Sequence, residues 1–146
     1  MKEINLKIVT PERIVFSEKI SQVSLSTTTG QITILPQHIP LVSQLTAGEI
    51  SVKYNGNEED LMAISGGFVE VLPDQVVVLV DTAERAEEID EQKAEQARQR
   101  AEEILKTKVV DAKEFAFLTA QIEKELVRLK VARKYKKRGI RTGLNS

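Results

Sequence analysis

The sequence predicts a mainly β protein with added α structure: an N-terminal β-sandwich over residues 1–86, then an antiparallel two-helix hairpin over residues 87–146. Up to residue 82, short stretches of alternating apolar and polar residues are separated by turn residues, which is typical of a sandwich or barrel. From residue 83 to residue 138 there is no Gly or Pro, and Ala, Glu, Gln, Lys and Arg dominate. That composition is typical of helices.

The strand candidates follow one another with clear turns. Ile4, Leu6 and Ile8 alternate with polar neighbours, the period-2 pattern of a half-buried strand. A turn at "TPE" precedes "RIVF", and "TTTGQ" separates the strand around Val23 and Leu25 from "ITIL". These segments predict the first four strands.

The second group of strands begins with a hairpin. Ile50, Val52 and Tyr54 alternate up to "NGN" (residues 55–57), and Asn-Gly tolerates the positive φ angles of a tight turn. "LMAI" resumes after it. "VVVLV" (Val76–Val80) follows the turn "LPDQ" and, as an uninterrupted apolar run, is predicted to be a fully buried strand.

Two apolar stripes at helical spacing mark the helices. They consist of Ala94, Ala97, Ala101 and Ile104/Leu105 in the first helix, and of Phe115, Leu118, Ile122, Leu126 and Leu129 in the second. "KTKVVDAKE" interrupts the pattern, and Asp111 with Glu114 three residues later predicts the start of the second helix. Because a two-helix hairpin buries little surface alone, it must lean on the β domain, a partner or a ligand.

The composition argues against catalysis. The chain of 146 residues has no Cys, which excludes a disulfide scaffold, a thiolate metal site and a Cys nucleophile. The only histidine, His38, lies in "LPQHIPL", where shaping of a loop is the favoured interpretation, and one His argues against a transition-metal site. "SGGF" (Ser65–Phe68) lacks the Lys of a phosphate-binding loop and predicts a bulge or a close approach of two backbones. We therefore predict a protein that is not an enzyme by itself.

The chain shows no sign of membrane insertion. Its N-terminus lacks the apolar core of a signal peptide, and no window approaches the roughly 18 apolar residues that a membrane span needs. We expect a soluble chain that reaches a membrane only by docking onto a complex there.

Charge is distributed unevenly along the second helix. No acidic residue follows Glu125, whereas eight basic residues do, namely Arg128, Lys130, Arg133, Lys134, Lys136, Lys137, Arg138 and Arg141. A solvated helix end that complements the helix dipole is one interpretation, and docking onto an acidic partner is the favoured one. Nucleic acid is the competing partner. It is disfavoured by the net charge of −1, the acidic first helix and the lack of stacking aromatics beyond Tyr135.

The segment "EEIDEQKAEQARQR" (residues 87–100) has two interpretations. Asp90 suits a helix N-cap, and Glu91 suits the positive end of the helix dipole. Alternatively, Lys93 and Arg100 lie seven residues apart, about two turns along one face, and could hold a phosphate chain. That spacing by itself is weak evidence.

Together these segments resemble the epsilon subunit of F-type ATP synthases of the bacterial or chloroplast type. The resemblance rests on "VTPERIVFS", "STTTGQITILPQHIPLVSQL", "ISGGFVEVLPDQVVVLVDTAERAEEID" and the paired helices, and it covers nearly the whole chain in order. It implies a ten-stranded β-sandwich with a two-helix domain. It also implies a non-catalytic subunit of the central rotor stalk, which couples rotation to ATP synthesis and inhibits ATP hydrolysis through its C-terminal helices.

The resemblance further implies partners and a location. The β domain would bind the gamma subunit and touch the c-ring, with ring contacts at Gly30, Gln31, His38, Pro40 and Leu41. The helices would fold against the sandwich or extend along gamma, where the basic residues Arg128, Lys130, Arg133, Lys134, Lys136, Lys137 and Arg138 would meet an acidic segment of the beta subunit. The complex would hold the chain at the cytoplasmic side of the cell membrane, or at the stromal side of the thylakoid in a plastid. The alternative is a free-standing module whose basic tail binds nucleic acid or another acidic protein.

Bacterial relatives can bind ATP in the contracted form at a motif Ile/Leu-Asp-x-x-Arg-Ala, which stands here as residues 89–94. The candidate ATP-binding residues implied by the resemblance are Ile89 and Asp90 at the adenine, Glu84 near the base or ribose, Lys93 and Arg100 at the phosphates, and Ala94 in the motif. Lys93 replaces the usual Arg and lacks its planar fork, and Glu87, Glu88 and Glu91 add negative charge. We predict weak or absent ATP binding and no required cofactor.

Overall fold

A computed structural model describes residues 2–55 and 58–145. For residues 138–145 it describes the backbone only. The chain divides into two compact units, residues 1–85 and residues 86–146. Among the described residues, the first unit contains ten strands and the second contains a short 3₁₀ helix and two α-helices. The predicted fold class, a β domain followed by two helices, is confirmed.

The strands of the first unit are short, at three to seven residues each. They are β1 (Ile4–Val9), β2 (Ile14–Ile20), β3 (Gln22–Thr27), β4 (Gly30–Ile34), β5 (Leu41–Leu45), β6 (Gly48–Lys53), β7 (Glu59–Ile64), β8 (Gly67–Val71), β9 (Gln75–Val80) and β10 (Ala83–Arg85). The second unit contains a 3₁₀ helix at Ala86–Glu88, α1 (Glu91–Thr107) and α2 (Ala112–Asn145).

All ten strands form one sheet in the order β10-β7-β6-β3-β5-β8-β9-β1-β2, with β4 paired to β3 off this path. The pairs are antiparallel except β1 with β9, which run parallel. Strands near both ends of the path, β2 with Phe16 and β7 with Met62, place side chains in the same buried core. The sheet therefore curls around a core that is almost entirely aliphatic.

Tyr54 links strands that are far apart in the sheet order. Its hydroxyl lies 2.8 Å from a carboxylate oxygen of Glu18 on β2 and 2.8 Å from one of Asp60 on β7. Its ring contacts that of Phe16, and the Arg85 guanidinium lies 5.4 Å from the Phe16 ring centre. Burial raises the pKa of the Tyr54 hydroxyl, and its hydrogen bonds to the Asp60 and Glu18 carboxylates add to the rise.

Two predictions about glycines are confirmed. The "TTTGQ" segment forms the predicted turn, and Gly30 at its end has φ +125°, a conformation that favours glycine. At Gly67 in "SGGF", an added Cβ would lie 2.0 Å from the carbonyl oxygen of Leu79. The two backbones therefore approach too closely for any side chain. The central Gly56 and Asn57 of the predicted "NGN" hairpin lie outside the described residues, although β6 and β7 pair antiparallel on either side of them.

The prediction that Val76–Val80 is fully buried is wrong. Val76 and Val78 point into the core, whereas Leu79 is 53% exposed on the other face. Strand β9 lies between β8 and β1 in a sheet with one face on the core, so only alternate residues are covered by this unit. An apolar residue is thereby left on the outside.

The starts of both helices match their predicted caps. The Asp90 carboxylate accepts a hydrogen bond from the backbone N–H of Lys93 at 3.1 Å, and Asp111 accepts one from that of Glu114 at 2.8 Å. These side chains satisfy backbone donors that have no partner within the helix.

The apolar stripe predicted for α2 is partly wrong. Leu118 and Leu129 are buried, but Phe115 and Leu126 are about half exposed. Glu125 occupies the buried position next to Leu126. Its carboxylate can be buried because the Arg128 guanidinium, one turn further along α2, pairs with it at 2.8 Å. A paired Glu therefore replaces Leu126 on the buried face, which keeps the spacing of three and four from Leu118 to Leu129.

Candidate functional site

The sheet of the first unit carries an apolar patch on its outer side. Phe68 on β8 and Leu79 on β9 are direct cross-strand partners and are 55% and 53% exposed. Val42 on β5, which is also exposed, lies diagonally next to Phe68, and Val9 on β1 pairs with Leu79. Because residues opposite each other share a face, these four side chains form one surface, which we call the outer apolar face.

A groove of about 510 Å³ borders the outer apolar face. Phe68 and Leu79 belong to its walls, together with Val9, Thr10, Pro11, Gln44, Leu45, Gly66, Gly67, Val80 and Asp81. Most of these residues offer apolar side chains or bare backbone. The groove and the face together therefore suit an apolar segment of another polypeptide better than a charged ligand.

The residues predicted to contact the rotor ring fall at two places. Gly30 and Gln31 are exposed at the start of β4, where the Thr27 hydroxyl donates to the Gly30 carbonyl at 2.6 Å. His38, Pro40 and Leu41 lie beyond the other end of β4, so a strand about 16 Å long separates the two groups.

The loop after β4 has a defined geometry. The Gln37 N–H donates to the Pro73 carbonyl at 2.8 Å, with Gln37 at a positive φ of 65°. The His38 ring nitrogen Nδ1 lies 2.7 Å from the Ile39 carbonyl oxygen, so the histidine shapes its own loop as predicted. The Ile39 side chain next to it is 75% exposed, which gives this end of the unit an apolar tip.

The candidate ATP-binding residues are divided between the units. Glu84 lies on β10 in the first unit, and the other five belong to the second. The motif residues Ile89 to Ala94 surround the start of α1, where the Asp90 carboxylate is bonded to a backbone N–H and Ala94 is completely buried. Lys93 and Arg100 are exposed two turns apart, as the sequence predicted. The structure thus leaves two cations of this set open to solvent.

The basic stretch of α2 already meets acidic side chains of α1. Arg133 Nε lies 3.0 Å from Glu91 Oε1, and Lys136 Nζ lies 3.1 Å from Glu91 Oε2. A second guanidinium nitrogen of Arg133 lies 3.8 Å from Glu95. In this form of the hairpin two cations pair with Glu91, so its charge opposes an anion less than that of an unpaired carboxylate. That Glu87, Glu88 and Glu91 together weaken ATP binding stays a prediction.

The same contacts set the protonation of these acids. Hydrogen bonds from Lys136 and Arg133 lower the pKa of the Glu91 carboxyl. The pKa of Glu95 is lowered chiefly by its hydrogen bond to Arg98, which also binds Glu102. At neutral pH both carboxylates are charged and hold their cations.

The other predicted acidic-partner residues differ in setting. Arg128 is paired with the buried Glu125 on its own helix, whereas Lys130 and Lys137 are exposed. The side chain of Arg138 lies outside the described residues.

The described part of the chain offers neither a metal-binding cluster nor a membrane-spanning helix. No three His, Asp or Glu side chains in it come together in a way that could hold a metal ion. No helix in it combines the length and the apolar character needed to cross a bilayer.

The sequence did not single out the outer apolar face or the contact of Glu91 with α2. The first had a signal in the pattern "GFVEV" next to "VVVLV", where apolar residues occupy outward positions of two neighbouring strands. The second had none, because residues 91 and 133 are brought together only by the packing of the two helices.

Comparison with protein families agrees with this division of the chain. Residues 3–86 match the family model described as ATP synthase, Delta/Epsilon chain, beta-sandwich domain. Residues 87–133 match the one described as ATP synthase, Delta/Epsilon chain, long alpha-helix domain.

Curated relatives are similar over almost the whole chain. The ATP synthase epsilon chain of Dehalococcoides mccartyi is 47% identical over 137 residues, covering 94% of this chain and 97% of that protein. The ATP synthase epsilon chain of Chloroflexus aggregans is 45% identical over 133 residues, covering 91% and 94%. That of Moorella thermoacetica is 41% identical over 132 residues, covering 90% and 98%.

Solved structures show the same architecture. A chain in the Euglena gracilis mitochondrial ATP synthase structure, which contains OSCP, F1 and the c-ring, aligns with a TM-score of 0.74 at 26% identity, covering 84% of this chain and 77% of that one. A chain in the central stalk and c-ring of the Tetrahymena thermophila mitochondrial ATP synthase aligns with a TM-score of 0.64 at 12% identity, covering 90% and 99%, and supports the fold alone.

Proposed function

The chain belongs to the ATP synthase delta/epsilon family as an epsilon chain, and we propose from this premise that its first unit docks onto the gamma subunit and the c-ring while its second unit inhibits ATP hydrolysis. As an epsilon chain it is a stalk and regulatory subunit of the ATP synthase complex, not the catalytic one. The complex holds it at the membrane as a peripheral component, and we place it on the cytoplasmic side.

The outer apolar face carries the proposal for gamma. Phe68 and Leu79 expose more than half of their side chains at the edge of the groove. Contiguous apolar surface of this kind typically marks a protein interface. A rotor subunit must transmit torque through a contact that does not slip, and apolar side chains interlocked with a groove provide one.

We assign the c-ring contact to the loop after β4. Its apolar tip at Ile39 is exposed to solvent, and the hydrogen bond from the Gln37 N–H to the Pro73 carbonyl ties the loop to the turn before β9. Gly30 and Gln31 lie at the other end of β4, so they form a second contact with the ring or with a neighbouring part of the stalk.

The inhibitory role rests on the basic stretch of α2. Arg133 and Lys136 bind two carboxylates of α1 in this structure, and they remain 61% and 72% exposed. Their geometry suits carboxylate recognition, which supports an acidic segment of the beta subunit as the partner when α2 is presented to the catalytic head.

ATP is proposed as a weak regulatory ligand at the start of α1. Exposed Lys93 and Arg100 supply cations for phosphates. Because Arg133 and Lys136 pair with Glu91, its carboxylate repels the phosphates less. Lys93 offers a point charge in place of the planar fork of Arg. Lys93→Arg is expected to tighten ATP binding several-fold in calorimetric titrations, and equal affinity of the two proteins would remove Lys93 from the site.

The test of the proposed function is an add-back experiment. A catalytic complex lacking this subunit is assayed for ATP hydrolysis with the full chain or with a version ending at Lys108, and binding of both versions to gamma is measured in parallel. We expect both versions to bind gamma and only the full chain to slow hydrolysis. If both bind and neither slows hydrolysis, the chain couples rotation without inhibiting. If neither binds, the docking proposal fails.

A further inference from the structure

We propose that the first turns of α1 act as an internal acidic partner for α2, so that Glu91, assisted by Glu95, competes with an external acidic protein for Arg133 and Lys136. The contact, which we call the internal acidic contact, consists of these four residues. It makes the availability of the basic stretch depend on the closure of the hairpin.

The geometry of the contact is specific. Each oxygen of the Glu91 carboxylate binds a different cation, Oε1 with Arg133 at 3.0 Å and Oε2 with Lys136 at 3.1 Å. Arg133 and Lys136 lie three residues apart and therefore on one face of α2. One carboxylate is thus paired with two of the basic residues that are predicted to bind an acidic partner.

Competition follows from charge and space. An external carboxylate that approaches Arg133 meets Glu91 and Glu95 on the same guanidinium, and like charges at this distance repel. It must displace Glu91 or accept a weakened contact. Opening of the hairpin removes that competitor and adds two unpaired cations to the surface of α2.

The contact is also suited to reversal. Both cations are mostly exposed, and exposed ion pairs are individually weak and screened by salt. A strong buried pair would lock the hairpin, whereas this one shifts the balance between closed and open forms by a small factor. The internal acidic contact thus sets the threshold at which α2 becomes available.

The test uses the full chain, which contains no natural cysteine, with nitroxide labels on Gln96→Cys in α1 and Tyr135→Cys in α2. Pulsed electron resonance measures the distance distribution for Glu91→Gln and for the matched control Glu103→Gln. The control removes one charge from an exposed position of the same helix. Glu91→Gln is expected to raise the open fraction about two- to fivefold, the range for exposed ion pairs, and Glu103→Gln to leave it unchanged.

Two additional arms make the result decisive. The conservative variant Glu91→Asp keeps a carboxylate facing both cations and is expected to stay closer to the wild-type distances than Glu91→Gln does. In the hydrolysis assay Glu91→Gln, which keeps both cations, is expected to inhibit at about two- to fivefold lower concentration than the wild type. A general loss of folding would weaken inhibition instead.

The hydrolysis arm rests on the proposed inhibitory function, and the distance arm does not. If neither protein inhibits while Glu91→Gln still opens the hairpin, the proposed function fails and the internal acidic contact stands. If Glu91→Gln and Glu103→Gln give the same distance distribution, or if Glu91→Gln inhibits less than the wild type, the internal acidic contact has no regulatory role.

Discussion

Replacement of Phe68 by Thr tests the outer apolar face directly. Thr is a β-branched residue suited to strand β8, and the substitution removes the apolar ring. Because the ring is more than half exposed in the isolated chain, most of the loss is expected in the complex with gamma. The stability of the chain alone changes less.

The expected loss follows from the exposed area. A Phe side chain buries roughly 200 Å², and Phe68 is 55% exposed, which leaves about 110 Å² for a partner to cover. At about 25 cal/mol per Å², full coverage contributes about 2.8 kcal/mol to docking. Incomplete coverage reduces this figure, so we expect a loss of about 1.4 to 2.8 kcal/mol, or a 10- to 100-fold weaker Kd.

The assay is calorimetric titration of the gamma subunit with the full chain, alongside thermal unfolding of each variant alone. The matched control is Ile39→Thr, which removes an even more exposed apolar side chain from the proposed c-ring loop. It is expected to bind gamma with unchanged affinity. Binding of Phe68→Thr within twofold of the wild type, or an equal loss for both variants, would refute the assignment of gamma to the outer apolar face.

The remaining predictions concern stability. Gly67→Ala places a Cβ 2.0 Å from a carbonyl oxygen of the neighbouring strand and is expected to cost about 1–3 kcal/mol or more in urea unfolding. Gly66→Ala, whose Cβ would lie at an ordinary 3.4 Å, should cost less than half as much, and equal losses would contradict the argument from close approach. The raised pKa of Tyr54 means that the folded state keeps a proton that the unfolded state has lost. The free energy of unfolding should therefore fall as pH rises above about 10, and Tyr54→Phe should flatten that slope in urea titrations. Asp111→Ala removes the cap of α2 and should reduce the free energy of unfolding of the hairpin by about 1 kcal/mol, whereas Asp111→Asn should retain most of it.

Features that depend on a few neighbouring residues could be predicted from the sequence. The turn at Gly30 and the caps at Asp90 and Asp111 depend on local backbone geometry, and the structure has all three. The close approach at Gly67 was also evident from residue type, because a paired glycine within a strand pattern usually accommodates another backbone.

Features that depend on what packs against each face of a strand or helix could not be predicted. Five apolar residues from Val76 to Val80 fit a strand covered on both faces or one with an apolar outer face, and the sequence does not say which. In α2, choosing the stripe by residue type favours Leu126 over Glu125. The structure buries Glu125 because Arg128 compensates its charge. The burial of an acid depends on a specific partner, which hydrophobic periodicity does not detect.

The candidate nucleotide site shows the same limit in its electrostatics. From sequence, Glu91 counts as a charge that opposes phosphate, yet in the folded hairpin it is shared by Arg133 and Lys136, so the three groups together carry one positive charge. The field near Lys93 therefore depends on whether the hairpin is closed. A closed hairpin adds cations from α2 beside the first turns of α1 and favours an anion there, whereas an open one leaves Glu91 unneutralised and disfavours it. Any ATP that binds at Lys93 and Arg100 is then coupled to closure through charge. By thermodynamic reciprocity, ATP should favour the closed hairpin, and Lys136→Gln should weaken that effect because it removes one of the two cations that closure brings to the start of α1.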